Sequence, residues 1–123
     1  MHELSICESL LREVHAIFVK HGAVGIERVR VEVGLLSGVE PALLDRAFDV
    51  ARAGSCAADA ILSIDVIPVV VRCAICQMES QTPPNRLLCA GCHSHRVRVI
   101  SGHELLLRQV ELRLPHPSIA AAY

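Results

Sequence analysis

Two cysteine pairs, Cys73-Ala-Ile-Cys76 and Cys89-Ala-Gly-Cys92, stand twelve residues apart and carry the clearest chemistry in the sequence. Zinc prefers four soft ligands in a tetrahedron, and a Cys-x-x-Cys turn presents two thiolates from one side, so two such turns make a complete set. Gly91 suits the tight turn of the second pair. The surrounding segment, 72–96, is poor in apolar periodicity, so bound metal would supply its folding free energy. Two other readings share these residues. Cys89 to His93 also spells the Cys-x-x-Cys-His attachment signature of c-type haem, which needs export, and a dithiol pair can be redox-active. The upstream pair and the absence of an export signal weigh against haem.

A second constellation is the tripeptide Met1-His2-Glu3. The first N–H groups of a helix lack intrahelical acceptors, so backbone nitrogens there are free to act as ligands. The His2 imidazole can close a chelate ring with its own amide nitrogen, with the Met1 amine one ring further back. An all-nitrogen, planar set suits Ni(II) or Cu(II). Glu3, and Glu40 ahead of the second helix, can add a carboxylate oxygen or accept a hydrogen bond. The plainer reading is an exposed histidine at a frayed terminus.

These residues need elements to hold them. Leu4, Cys7, Leu11, Val14 and Phe18 recur at spacings of three and four, with Leu10 and Ile17 widening the stripe, and predict an amphipathic helix ending at His21-Gly22. Val29, Val31, Val33 and Leu35 alternate with polar residues as a strand with one buried face. Pro41, Leu44, Ala47, Phe48 and Ala51 predict a second helix, closed by Gly54. Ile61 to Val71 reads as a strand with Pro68 at an edge or bend. Ser101-Gly102-His103-Glu104 reads as a hairpin turn between Val97–Val99 and Leu105–Leu107. Val110, Leu112 and Leu114 form a last strand that can return to the first sheet. The expected organisation is therefore an α+β domain, two helices packed on a small β-sheet, formed by residues 1–71 and 104–114. A zinc-ribbon-like lobe with four cysteines, 72–103, is inserted in it, and 115–123 form a flexible tail.

Composition narrows the function. The 123 residues are 52% hydrophobic, enough for a core but built almost wholly from aliphatics, since the only aromatics are Phe18, Phe48 and Tyr123. Three aromatics and a formal charge of −1 leave neither stacking platforms nor a net field for nucleic acid. The longest apolar run, Val66 to Val71, is far short of the ~20 residues of a membrane span. With no signal peptide, a cytoplasmic location is expected, where cysteines serve metals more often than disulfides.

Met1-His2-Glu3-Leu4-Ser5, Val33-Gly34-Leu35-Leu36-Ser37-Gly38-Val39-Glu40-Pro41, the two cysteine pairs and Ser101-Gly102-His103-Glu104-Leu105 together resemble the HypA/HybF family of hydrogenase nickel maturation factors, in order and spacing and over all but the last nine or so residues. The resemblance implies a nickel metallochaperone with no enzymatic activity. It implies structural Zn(II) on Cys73, Cys76, Cys89 and Cys92, and transferred Ni(II) with His2 as principal ligand, supported by the backbone at Glu3 and the carboxylates of Glu3 and Glu40. The family often carries Asp where Glu40 stands. Implied partners are the HypB GTPase and the [NiFe]-hydrogenase large-subunit precursor, and some members also serve urease maturation. The alternative from the residues alone is a zinc-ribbon module for protein interaction or nucleic-acid binding; a thiol oxidoreductase is a third reading.

Overall fold

The computed structural model describes residues 2–115, so Met1 and the greater part of the expected tail lie outside the described residues. Helix α1 (His2–Lys20) contains neither Gly nor Pro and buries Cys7, Leu10 and Val14 along one stripe. It ends as the sequence predicts: Gly22 takes φ 61°, and the N–H groups of Gly22 and Ala23 return to the carbonyls of Val19 and Phe18. Strand β1 (Gly25–Gly34) follows. Helix α2 (Pro41–Ala51) starts with its proline in the first turn and buries Leu44 and Phe48.

Helix α2 is the crossover that lets strand β2 (Ile61–Ile67) pair parallel with β1. Strand β6 (Leu105–Arg113) pairs antiparallel on the other side of β1, giving the order β2-β1-β6. Residues Val29, Val31 and Val33 of the central strand are buried against Cys7, Leu10, Val14, Leu44 and Phe48. The register slips twice between β1 and β6, once on each strand. The first slip turns both Ile26 and Val29 of β1 toward the core. The second turns both Leu107 and Val110 of β6 there, although strict alternation would have put one of each pair on the wet face.

Three sequence expectations change. Ile61–Val71 is not one strand: Pro68 lacks the N–H a ladder needs, and the chain leaves the first sheet there. Strand β3 (Val69–Cys73) is instead the centre of a second sheet, flanked by β4 (Glu79–Thr82) and β5 (Val97–Ser101) in the order β4-β3-β5, so residues 69–71 hydrogen-bond with the inserted lobe. Ser101–Glu104 is not a hairpin turn, because β5 and β6 belong to different sheets and the segment is the return crossing between them. Leu35 and Leu114 are exposed just past the ends of β1 and β6, where the alternation outruns the strands, and Val66, though paired with Val33, is exposed near the end of the edge strand β2.

The two crossings meet β1 at a tight junction. A Cβ on Gly34 would come within 2.2 Å of the Gly102 carbonyl oxygen, and one on Gly102 within 2.5 Å of the Pro68 oxygen. Gly102 also takes φ 91°, a conformation side chains rarely adopt. The N–H of Leu36 donates to the Gly102 carbonyl at 2.7 Å, and that of Leu35 to the Ile67 carbonyl at 3.0 Å, so the β1–α2 loop is tied to both crossings.

Candidate metal centres

The inserted lobe brings the four predicted thiols together. Their Sγ atoms all lie within 4.8 Å of one another, with Cys73 to Cys92 and Cys76 to Cys89 each at 3.5 Å. Zn–S bonds of about 2.3 Å place tetrahedral sulfurs about 3.8 Å apart, so the cluster fits a four-coordinate zinc ion closely. Among the described residues it is the one grouping of His, Cys, Asp or Glu that meets metal-ligand geometry.

The two turns are built alike. The N–H of the first cysteine donates to a carbonyl five residues on, Met78 for Cys73 and Ser94 for Cys89. The residue after the second cysteine, Gln77 or His93, has a positive φ of 66° or 63° and returns its N–H to the first cysteine's carbonyl. The left-handed positions are thus Gln77 and His93. Gly91 serves differently: a Cβ there would meet the Met78 sulfur at 2.7 Å. Backbone N–H groups of Ile75 and Cys76 point at Cys73 Sγ, and that of Cys92 at Cys89 Sγ. These donors favour the thiolate. The Cys76 N–H is the main influence holding Cys73 below its ordinary thiol pKa, and the Cys92 N–H the main one bringing Cys89 down to about 6. For Cys92 the Ser94 N–H acts downward, but the neighbouring cysteines outweigh it and the thiol rises to about 11; Cys76 also rises.

The amino-terminal constellation is assembled by the two helices. His2 and Glu3 open α1, and Glu40 stands at the N-cap of α2. The Cys7 thiol, 3.5 Å from the Leu44 carbonyl, links the second turn of α1 to the first turn of α2, and burial raises its pKa to about 11. Cys7 therefore does more than fill space, a role its place on the apolar stripe could not reveal.

Glu3 Oε2 accepts the Glu40 N–H at 3.4 Å and lies 3.8 Å from His2 Nδ1. The His2 side chain is 64% exposed while that of Glu3 is 13% exposed, so the imidazole is open to solvent and the carboxylate is seated beneath it. The backbone N–H of Glu3 itself is the main influence lowering the Glu3 pKa. Desolvation opposes it, and the Glu40 N–H and His2 act in the same downward direction. The contact Glu40 contributes here is thus its backbone N–H; its side chain is exposed. Met1 lies outside the described residues.

A helix-and-sheet domain with an inserted four-cysteine ribbon, and with an open imidazole at the first helix, defines a small two-lobed metal-binding protein. Residues 1–112 match the family model for hydrogenase/urease nickel incorporation, metallochaperone, hypA. Over 112 residues the chain is 43% identical to a hydrogenase maturation factor HypA of Nitrosospira multiformis, covering 91% of this chain and 97% of the relative. It is 36% identical to that of Aquifex aeolicus over 93% of this chain and 99% of the relative. The solution structure of the Ni metallochaperone HypA from Helicobacter pylori superposes with a TM-score of 0.68 at 30% identity, covering 92% of this chain and 98% of that one. The chain belongs to the HypA family of hydrogenase nickel metallochaperones. No helix among the described residues is long and apolar enough to cross a membrane.

Proposed function

We propose that this protein binds Ni(II) at its amino terminus and delivers it, in the cytoplasm, to the [NiFe]-hydrogenase large-subunit precursor, acting with the HypB GTPase. The nickel ligands are the His2 imidazole, the backbone nitrogens of His2 and Glu3 and the Met1 amine, with the carboxylates of Glu3 and Glu40 in support. The observation that carries this reading is the open His2 imidazole beside the seated Glu3 carboxylate, at the one place on α1 where backbone nitrogens lack intrahelical acceptors. A carrier must release its cargo. Exposed nitrogen ligands exchange with a partner's ligands and with protons more readily than a closed thiolate cage does. Glu3, held ionised, supplies negative charge beside the cation, and Glu40 holds Glu3 in place through its N–H.

Zn(II) on Cys73, Cys76, Cys89 and Cys92 has a structural role, cross-linking the two turns. Service to urease maturation as well is compatible with the family's description but has no separate support in these residues.

The test is a nickel titration of zinc-loaded protein beside His2→Ala. The variant is expected to lose its stoichiometric nickel site and keep its zinc. Unchanged nickel stoichiometry and affinity in His2→Ala would refute the assignment.

A further inference from the structure

The formal charge of −1 conceals two regions of opposite sign. Residues 69–101 hold Arg72, Arg86, Arg96 and Arg98 against the single acid Glu79, while the rest of the chain holds eight basic and twelve acidic residues. Zinc on four thiolates would add −2 to the lobe and still leave it positive. Three of the four arginines converge. Arg72 and Arg98 are register partners across β3 and β5, so they share one sheet face. Together with Arg96 they line a concavity of about 420 Å³ that Gln77 also borders.

These guanidiniums are not occupied in neutralising the cysteine cluster. Its sulfurs are met by backbone N–H groups, and none of the three arginines is hydrogen-bonded to a thiol. Arg72 is steadied by Glu79 at 3.3 Å and by Gln77. The side chains of Arg96 and Arg98 are exposed and have no ion pair or side-chain hydrogen bond among the described residues, Arg96 using only its backbone N–H toward Ser94 and its carbonyl toward Ala74. Two unpaired guanidiniums lining one concavity with a third that Glu79 and Gln77 hold form a fork array for carboxylates.

We propose that this groove is a docking surface for an acidic segment of a protein partner. A long polyanion such as nucleic acid is disfavoured, because it would run on to the negatively charged helix-and-sheet domain. A short acidic segment needs only the lobe's own guanidiniums, whose attraction is screened over about 8 Å at physiological salt. Binding here is independent of nickel at His2, so its failure and the failure of the nickel assignment are separable.

The test uses full-length, zinc-loaded protein and a fluorescein-labelled ten-residue glutamate-rich peptide, read by anisotropy, beside a glutamine counterpart. Binding of the acidic peptide alone is expected, weakening as salt rises, with amide shifts at 72–77 and 96–98. Arg96→Glu/Arg98→Glu should weaken it by about tenfold or more, and the milder Arg96→Gln/Arg98→Gln by less, both retaining zinc. The charge-matched control Arg12→Glu/Lys20→Glu on α1 should bind within about twofold of the parent. Equal losses in the control, tighter binding of a single-stranded oligonucleotide of the same charge, or no binding even at low salt would each overturn the proposal.

Discussion

The helix-and-sheet domain and the cysteine lobe solve the problem of staying folded in different ways. The first encloses a continuous core running from Cys7, Leu10 and Val14 through Val29, Val31 and Val33 to Leu44 and Phe48. Apart from Cys73 and Cys89, the lobe buries two large apolar side chains, Val69 and Val71, with Ser80 and Thr82 beside them. Hydrophobic burial scales with apolar area, and so little of it cannot offset the entropy of ordering the lobe's loops. One region is held by a solvent-excluded core, and the other has the four thiols through which a bound metal would hold it. The same contrast suits their proposed tasks: a permanent four-sulfur clamp in the lobe, and an exchangeable nickel site on a domain that needs no metal to fold.

The largest effect is expected from removing one thiol. Cys73→Ser or Cys92→Ser should release the lobe's metal and unfold 69–101, since structural zinc in small modules supplies on the order of 10 kcal/mol or more of apparent folding free energy. Amide exchange should show β3, β4 and β5 unprotected while α1 and β1 keep their protection. Loss of protection in both regions together would show that they are one cooperative unit.

The converse substitution, Phe48→Ala, should cost the helix-and-sheet domain about 3–5 kcal/mol in denaturant unfolding. Zinc retained in the remaining folded fraction would sharpen the division, and zinc lost in parallel with the helices would erase it. Between these lies the junction. Gly102→Ala puts a Cβ against the Pro68 carbonyl at an unfavourable φ and should cost about 1–3 kcal/mol. Its amide shifts should centre on Gly34, Leu36 and the residues flanking Pro68, where the two regions join, rather than on either interior.

The smallest expected effect is at Glu3. Its pKa is lowered in the fold, so its contribution to stability is present above the ordinary carboxylate value and is lost as pH falls through the folded-state value. Glu3→Gln should therefore be slightly less stable than the parent at neutral pH, and the two unfolding curves should converge as pH drops below that range. A difference that persists unchanged in acid would mean that the Glu3 side chain acts through packing and not through charge.

Much of this was legible in the residues because it is local. The spacing of Leu4 to Phe18 predicted α1, with Leu10 more central than its place at the stripe's margin suggested, and Pro41 marked where α2 begins. Two Cys-x-x-Cys pairs announced the cluster, since each turn closes within a few residues. Pro68 and Gly102 were visible as irregularities but not as the two crossings. Their role depends on which sheet each flanking strand joins, and alternation says only that a strand has a buried face.

The two helices, the central strand and the cysteine set are thus properties of the sequence itself, set by short-range periodicity and spacing. Tertiary structure alone decided that β1 pairs parallel with β2 across α2, that paired bulges turn Ile26 and Leu107 inward, and that the Glu40 N–H reaches Glu3. It also decided that Arg72 and Arg98, distant in the chain, stand side by side. Each of these is a contact between segments far apart in sequence, selected by what buries the most apolar surface while pairing every backbone group, and no local pattern encodes that choice.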